Sequence, residues 1–257
     1  MSRIHAGCGV FVSGGLFNDI SLGERRNIQL MKKKKAGLLL RELLFADESL
    51  EGIAARASAD GESGPLGLFA AAHRAAVAGD EPAAIKALQG IIALPSLETR
   101  VCLQAWRCLR DMKVAPPDDL AAKIQGVVVE VPVGAGHDLV AAYGDHTARY
   151  YNFAGGGVVW EIPEDEVDRL IDELLACGQN IVNATGIWDQ PRPPAPGKGI
   201  ARVNALTFGG LHFGEGEFSI LAADPLGGPA IKAAFVLMQA LIVRQQAPSG
   251  GSVANES

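Results

Sequence analysis

The chain of 257 residues is long enough to bury a full core as one large domain or two small ones. Its 48% hydrophobic and 20% charged residues are a globular balance, and no stretch reaches the roughly 20 apolar residues of a membrane span. The net charge of −6 is unevenly placed: residues 1–35 carry seven basic and two acidic side chains, so the remaining acidic body repels phosphate backbones and excludes nucleic acid as the main partner.

Residues 1–30 show no sustained period and contain Gly7, Gly9, Gly14, Gly15 and Gly23. Arg25-Arg26 just upstream of Met31 would, if encoded AGG-AGG, be a ribosome-binding sequence. Met31 is therefore one expected natural start; a genuine disordered tail over 1–35 is the other reading. His5-Ala6-Gly7-Cys8 lacks the preceding apolar run of a lipoprotein signal, so secretion is not expected. Lys32–Lys35 reads as a solvated basic run. Cys8, Cys102, Cys108 and Cys177 form no CxxC pair and read as small apolar residues in a reducing, cytoplasmic setting of bacterial type.

Residues 36–124 carry helical spacing. Leu38 to Phe45 is one helical run. Leu66, Phe69, Ala70, His73 and Val77 line a second helix, ended by Gly79-Asp80. Pro82 opens the next, with Ile85, Leu88, Ile91 and Ile92 on its face and Pro95 closing it. Ser96 is the expected N-cap of a helix carrying Leu97, Val101, Leu103, Trp106 and Leu109, and a short helix follows Pro116-Pro117. His73, on an apolar face, reads as a structural histidine.

The period changes at Gly126. Val127-Val128-Val129-Glu130-Val131 is β-branched and nearly all apolar, as in a central strand. Strands are predicted at Asp138–Tyr143 and Thr147–Asn152, joined by Gly144-Asp145-His146, and at Val158–Glu161 after Gly155-Gly156-Gly157, which suggests a bulge. A helix is predicted from Pro163 to Asn183 on the stripe Val167, Leu170, Ile171, Leu174, Leu175, Ile181 and Val182. Pro191 to Pro196 is a stiff connector. Further strands are predicted at Ile200–Thr207, Leu211–Phe213 and Glu217–Leu221, then a helix from Gly228 to Gln246. Residues 247–257 read as a disordered tail. In the final helix only Lys232 and Gln239 interrupt Ile231 to Val243, so its girth exceeds what one sheet face covers. Ile231, Phe235, Met238, Leu241 and Ile242 are the candidate interface, against the helical region or a second subunit.

The whole is an α+β reading: a helical cap over 36–124, then a mainly antiparallel sheet packed with two helices over 125–246. Residues 126–243, with Gly216-Glu217-Phe218-Ser219-Ile220-Leu221 followed by Gly228-Pro229 opening a helix, resemble roadblock or profilin-like sandwiches. That resemblance implies dimerisation or scaffolding rather than catalysis, although three or four strands precede the central helix where two belong. Leu68 to Pro95 resembles a single tetratricopeptide-type hairpin, without the usual aromatic at Ala75. One such repeat makes a cap, not a peptide-binding superhelix.

No chemistry rises from the motifs. His137 and His146 lie at the ends of one extended run, roughly 30 Å apart, too far to share a metal. The glycine-rich loops are neither a GxxxxGK[ST] nor a GxGxxG before a helix. Ser219 is in no GxSxG elbow. Glu130, among valines, reads as the partner of Arg149 on the nearby strand. His212, alternating with Leu211 and Phe213, is expected to face away from the core; with Arg149 and Tyr151 it forms a candidate ligand or partner surface. No catalytic residue, metal, cofactor or membrane partner is assigned. The expected function is protein–protein interaction or assembly, as a homodimer or with another protein. The alternative is a small-molecule sensor or enzyme using a cleft between cap and sheet, which would need Glu130, Arg149 or His212 to converge in a pocket.

Overall fold

The computed structural model describes residues 40–60 and 64–246. The expectations for residues 1–35, a start at Met31 included, and for residues 247–257 lie outside them. The described residues from Glu42 onward form a single compact unit. The run predicted helical at 38–45 is helical over its described part, residues 40–45.

Four helices build the cap: α1 (Leu50–Asp60), α2 (Gly64–Val77), α3 (Glu81–Ile92) and α4 (Thr99–Asp111). Helix α1 is not among the predicted elements, yet its signals are present: Ser49 Oγ accepts the Gly52 N–H at 3.1 Å, as an N-cap does, and Ile53, Ala54 and Ala57 turn to the core. Gly79, at φ 78°, turns the α2–α3 hairpin, and Asp80 caps α3 by accepting the Ala83 N–H at 3.0 Å. Val77, read as an apolar-face residue, is 75% exposed because the helix ends there. The expected cap at Ser96 is a correction. Ser96 sits in the left-handed region, and the first N–H of α4, that of Thr99, is taken by Asp145 Oδ2 at 2.8 Å. A carboxylate from a sheet turn thus serves the orphan donor of a helix 46 residues earlier. The single-turn α5 (Asp118–Ala121) leads into the sheet.

The sheet has six strands: β1 (Ile124–Val133), β2 (Gly136–Tyr143), β3 (Ala148–Tyr151), β4 (Gly157–Trp160), β5 (Ile200–Thr207) and β6 (Leu211–Glu217). Their order is β4-β3-β2-β1-β5-β6, and every pairing is antiparallel. The Val127–Val131 run is therefore central, with β2 on one side and β5 on the other. Four strands form a meander before α6 (Asp165–Ala184) brings the chain back to the far side of β1. The resemblance to two-strand-first sandwiches stops at that meander. Gly155, at φ 102°, and Gly156 lie in the β3–β4 turn and Gly157 opens β4, so the triple glycine is not a bulge.

One sheet face carries the main core: Val127, Val129, Val140, Ala142, Val203 and Ala205 pack against Leu170, Ile171 and Leu174 of α6 and against α8 (Gly227–Gln246). The predicted strand Glu217–Leu221 is a second correction. Strand β6 ends at Glu217, and α7 (Phe218–Ala223) begins there. Phe218 and Leu221, three apart, turn inward, while Ile220 is 66% exposed; a strand would put Phe218 and Ile220 on one face.

Candidate functional site

The two sheet faces sort the expected site residues. Val127, Val129 and their register partners face the helices, so Glu130, Arg202, Asn204, Arg149 and Tyr151 belong to the opposite face. His212 pairs with Ala205, a core residue, and is buried on the helix side. This overturns its expected outward orientation. His212 does alternate with Leu211 and Phe213, but those two are the half-exposed pair. His212 Nδ1 lies 3.2 Å from Thr185 Oγ1 at the end of α6, and burial lowers its pKa from 6.5. It is a neutral histidine inside the fold, remote in orientation from Arg149 and Tyr151.

Glu130 does not pair with Arg149. In register it stands opposite Arg202 of β5, whose guanidinium is 3.5 Å away, and Asn204 Nδ2 lies 3.3 Å from it. Arg202 in turn stands opposite Glu215 of β6 and donates to it through Nε at 2.6 Å. A carboxylate–guanidinium–carboxylate rung thus crosses three strands, and Arg202 also donates to the Pro194 carbonyl at 2.9 Å, tying the proline connector to the sheet. Arg149 is two strands from β1. It donates to the Trp160 carbonyl at 2.9 Å and to Glu161 at 2.5 Å. These charges are braces, and they converge on no common point.

Reactive groups elsewhere are likewise committed. Burial raises the thiols of Cys102, Cys177 and Cys108, the last to about 11, so none carries appreciable thiolate near neutrality. His146 sits in the β2–β3 turn, 3.0 Å from Asp172, and His137 meets the Ile200 carbonyl at 2.9 Å. Ser219 Oγ donates to Glu217. Among the described residues no three His, Cys, Asp or Glu side chains are grouped to hold a metal.

One face of the final helix is internal. Ile231 and Leu241, expected at an interface, are in the core with Ala234 and Leu237. Phe235, Met238 and Ile242 are half-buried against that core, and the Phe235 ring meets Phe218 of α7 at 6.5 Å. The flank is covered by α6 and α7, not by the cap: Arg244 near the end of α8 donates to Glu164 and Glu166 at the start of α6, which sets the two helices antiparallel. What stays outside is a stripe of Pro229, Lys232, Val236, Gln239 and Val243, with Val236 41% and Val243 64% exposed. Helix α8 is, among the described residues, the one helix long and apolar enough to cross a membrane by length and composition, but its buried stripe lines the sheet core.

A cleft of about 630 Å³ does lie between cap and sheet. Its walls are the C-terminal part of α4 from Leu103, the β5–β6 hairpin, residues 42–47 and residues 187–192. Neither Glu130, Arg149 nor His212 lines it. Residues that sequence reasoning missed do: Arg107, Arg110, Trp188 and Arg192. Their signal was faint, since an Arg-x-x-Arg at a helix end also suits the helix dipole. Comparison of the chain with family models, with curated proteins and with solved structures finds no match.

Proposed function

We propose that the protein is a non-catalytic interaction module that associates with a second copy of itself through the outer stripe of α8. The observation that carries this reading is the exposure of Val236 and Val243, seven residues apart on one helix face, while Glu130, Arg149 and Arg202 are held in ion pairs within the sheet. An isolated exposed valine needs no explanation; a row at helical spacing is what a partner helix covers.

The flanking charges suit an antiparallel, two-fold arrangement, in which any contact made by one copy is made again by the other. Lys232 stands near one end of the stripe, after Pro229. About 16 Å along the helix, given 1.5 Å per residue, Val243 adjoins the Glu164–Arg244–Glu166 cluster, which carries one net negative charge. Pairing around the middle of the stripe sets each lysine near the partner's Glu166, whose side chain is 63% exposed.

Dilution measurements of the association test this. Lys232→Glu should weaken association about tenfold, because a like-charge contact replaces a favourable one twice per dimer. Adding Glu166→Lys should recover most of the loss. Unchanged association in Lys232→Glu, or no recovery in the charge swap, counts against this geometry.

A second reading is favoured by the cleft at the end of α4: binding of a small molecule, with the assembly serving as scaffold. Its size falls within the range of small-ligand sites.

A further inference from the structure

We infer that the cleft between α4 and the β5–β6 hairpin takes a small organic oxyanion, its phosphate or carboxylate head on Arg110 and a flat apolar body against Trp188. The inference rests on the cleft and is independent of the α8 interface.

The charges lining the cleft are not equally occupied. Arg107 is held by Asp111, four residues on. Arg192 is held by both oxygens of Asp47, one at 3.1 Å, and lies over the Phe45 ring at 4.3 Å. Asp189 accepts from the Gln190 amide at 3.2 Å, and Glu42 and the exposed Lys113 complete the charged lining. Arg110 differs. Among the described residues it has no carboxylate within salt-bridge distance, and its one side-chain hydrogen bond goes to the Phe208 carbonyl. A guanidinium has five N–H donors, no Arg110 nitrogen is both buried and without a partner, and Arg110 lines the cleft, so donors remain for a ligand there. Burial, and then the like charge of Arg107, push Arg110 down to about 10. A half-buried cation short of counter-charge is stabilised by an oxyanion, which a guanidinium grips bidentately.

Ile187 and Trp188 add an apolar surface to the lining, and the indole is already set. Trp188 is 40% exposed and Ile187 52%. The indole does not swing freely: Nε1 donates to the Pro191 carbonyl at 3.0 Å, the backbone N–H donates to the Leu211 carbonyl at 2.7 Å, and the ring meets Phe213 edge-on at 5.2 Å. An exposed aromatic plane fixed by three contacts is a pre-organised surface for a flat ligand.

Titration calorimetry on the full chain with phenyl phosphate, benzoate and inorganic phosphate tests the inference. At least one of the two aryl probes is expected to bind, and phenyl phosphate about tenfold tighter than inorganic phosphate. Which aryl probe binds tighter identifies the head group. Arg110→Gln should weaken the aryl probe by about tenfold or more, and Arg110→Lys should restore part of it. Because Arg110 also tethers the hairpin, Trp188→Ala gives an independent reading: it should erase the preference for the aryl phosphate over inorganic phosphate. Absence of aryl-probe binding at millimolar concentration overturns the inference, and so does binding that Arg110→Gln and Trp188→Ala leave unchanged.

Discussion

Arg202→Met is expected to cost about 3–5 kcal/mol, the range for breaking a buried ion pair from one side. Arg202 is 3% exposed and stands between Glu130, which is fully buried, and Glu215. Methionine matches much of the arginine stem but removes every donor. Glu130 then loses the cation opposite it, and the Pro193 and Pro194 carbonyls lose the donor that ties the connector to β5. In thermal unfolding this should appear as a fall of roughly 10 °C for a chain of this length. Arg169→Met, which removes an exposed i,i+4 partner of Glu173 on α6, should move the midpoint by no more than about a degree or two. Equal behaviour of the two variants would refute the assignment of Arg202 as the brace of the sheet's second face.

Gly178→Val is expected to be the other severe change. Gly178 lies inside α6, where glycine costs about 0.5–1 kcal/mol against alanine, so substitution alone should favour the helix. The packing reverses the sign. A Cβ at Gly178 would lie 2.4 Å from Val127 Cγ2 and 3.1 Å from Ile124 Cδ1. Val127 is a fully buried β-branched residue of the central strand and cannot yield. The helix must lift from the sheet along its inner face, and overpacking of this kind costs about 1–3 kcal/mol, with valine at the upper end. Gly90→Ala in α3 is the contrast, because a Cβ there meets nothing within 4 Å. It should stabilise by about 0.5–1 kcal/mol. Chemical denaturation of both variants checks the pair, and a neutral Gly178→Val would contradict the close approach of α6 to β1.

The elements themselves were largely legible, because the period of the apolar residues carries most of the information. Val127 to Val131 could only be an interior strand, and the stripe from Val167 to Val182 could only be a helix on a sheet. The failures share one cause: they concern partners distant in sequence. Glu130 was matched to Arg149 because the meander is local, whereas β5 arrives beside β1 only after α6 crosses the sheet. Asp145 rather than Ser96 serves the start of α4 for the same reason. His212 was assigned to the correct alternation but the wrong side, since Leu211-His212-Phe213 does not say which face the helices occupy. Phe218 to Leu221 has strand composition, and the packing of Phe218 on Phe235 decides for a helix. The cleft was invisible as chemistry, because Arg107, Arg110, Trp188 and Arg192 come from two segments about 80 residues apart, and no single spacing links them.

The excess of apolar surface on the last helix was visible from composition, and the structure divides it. Most goes to the sheet, α6 and α7, and the residue is the row containing Val236 and Val243. The most direct test of the proposed assembly is the mass of the native chain in solution by light scattering over a range of concentrations, beside Val236→Asp/Val243→Asp. A native mass of twice 26.9 kDa that falls to the single-chain value in the double variant is the predicted result. A native chain at 26.9 kDa throughout, or a dimer that tolerates both aspartates, contradicts it.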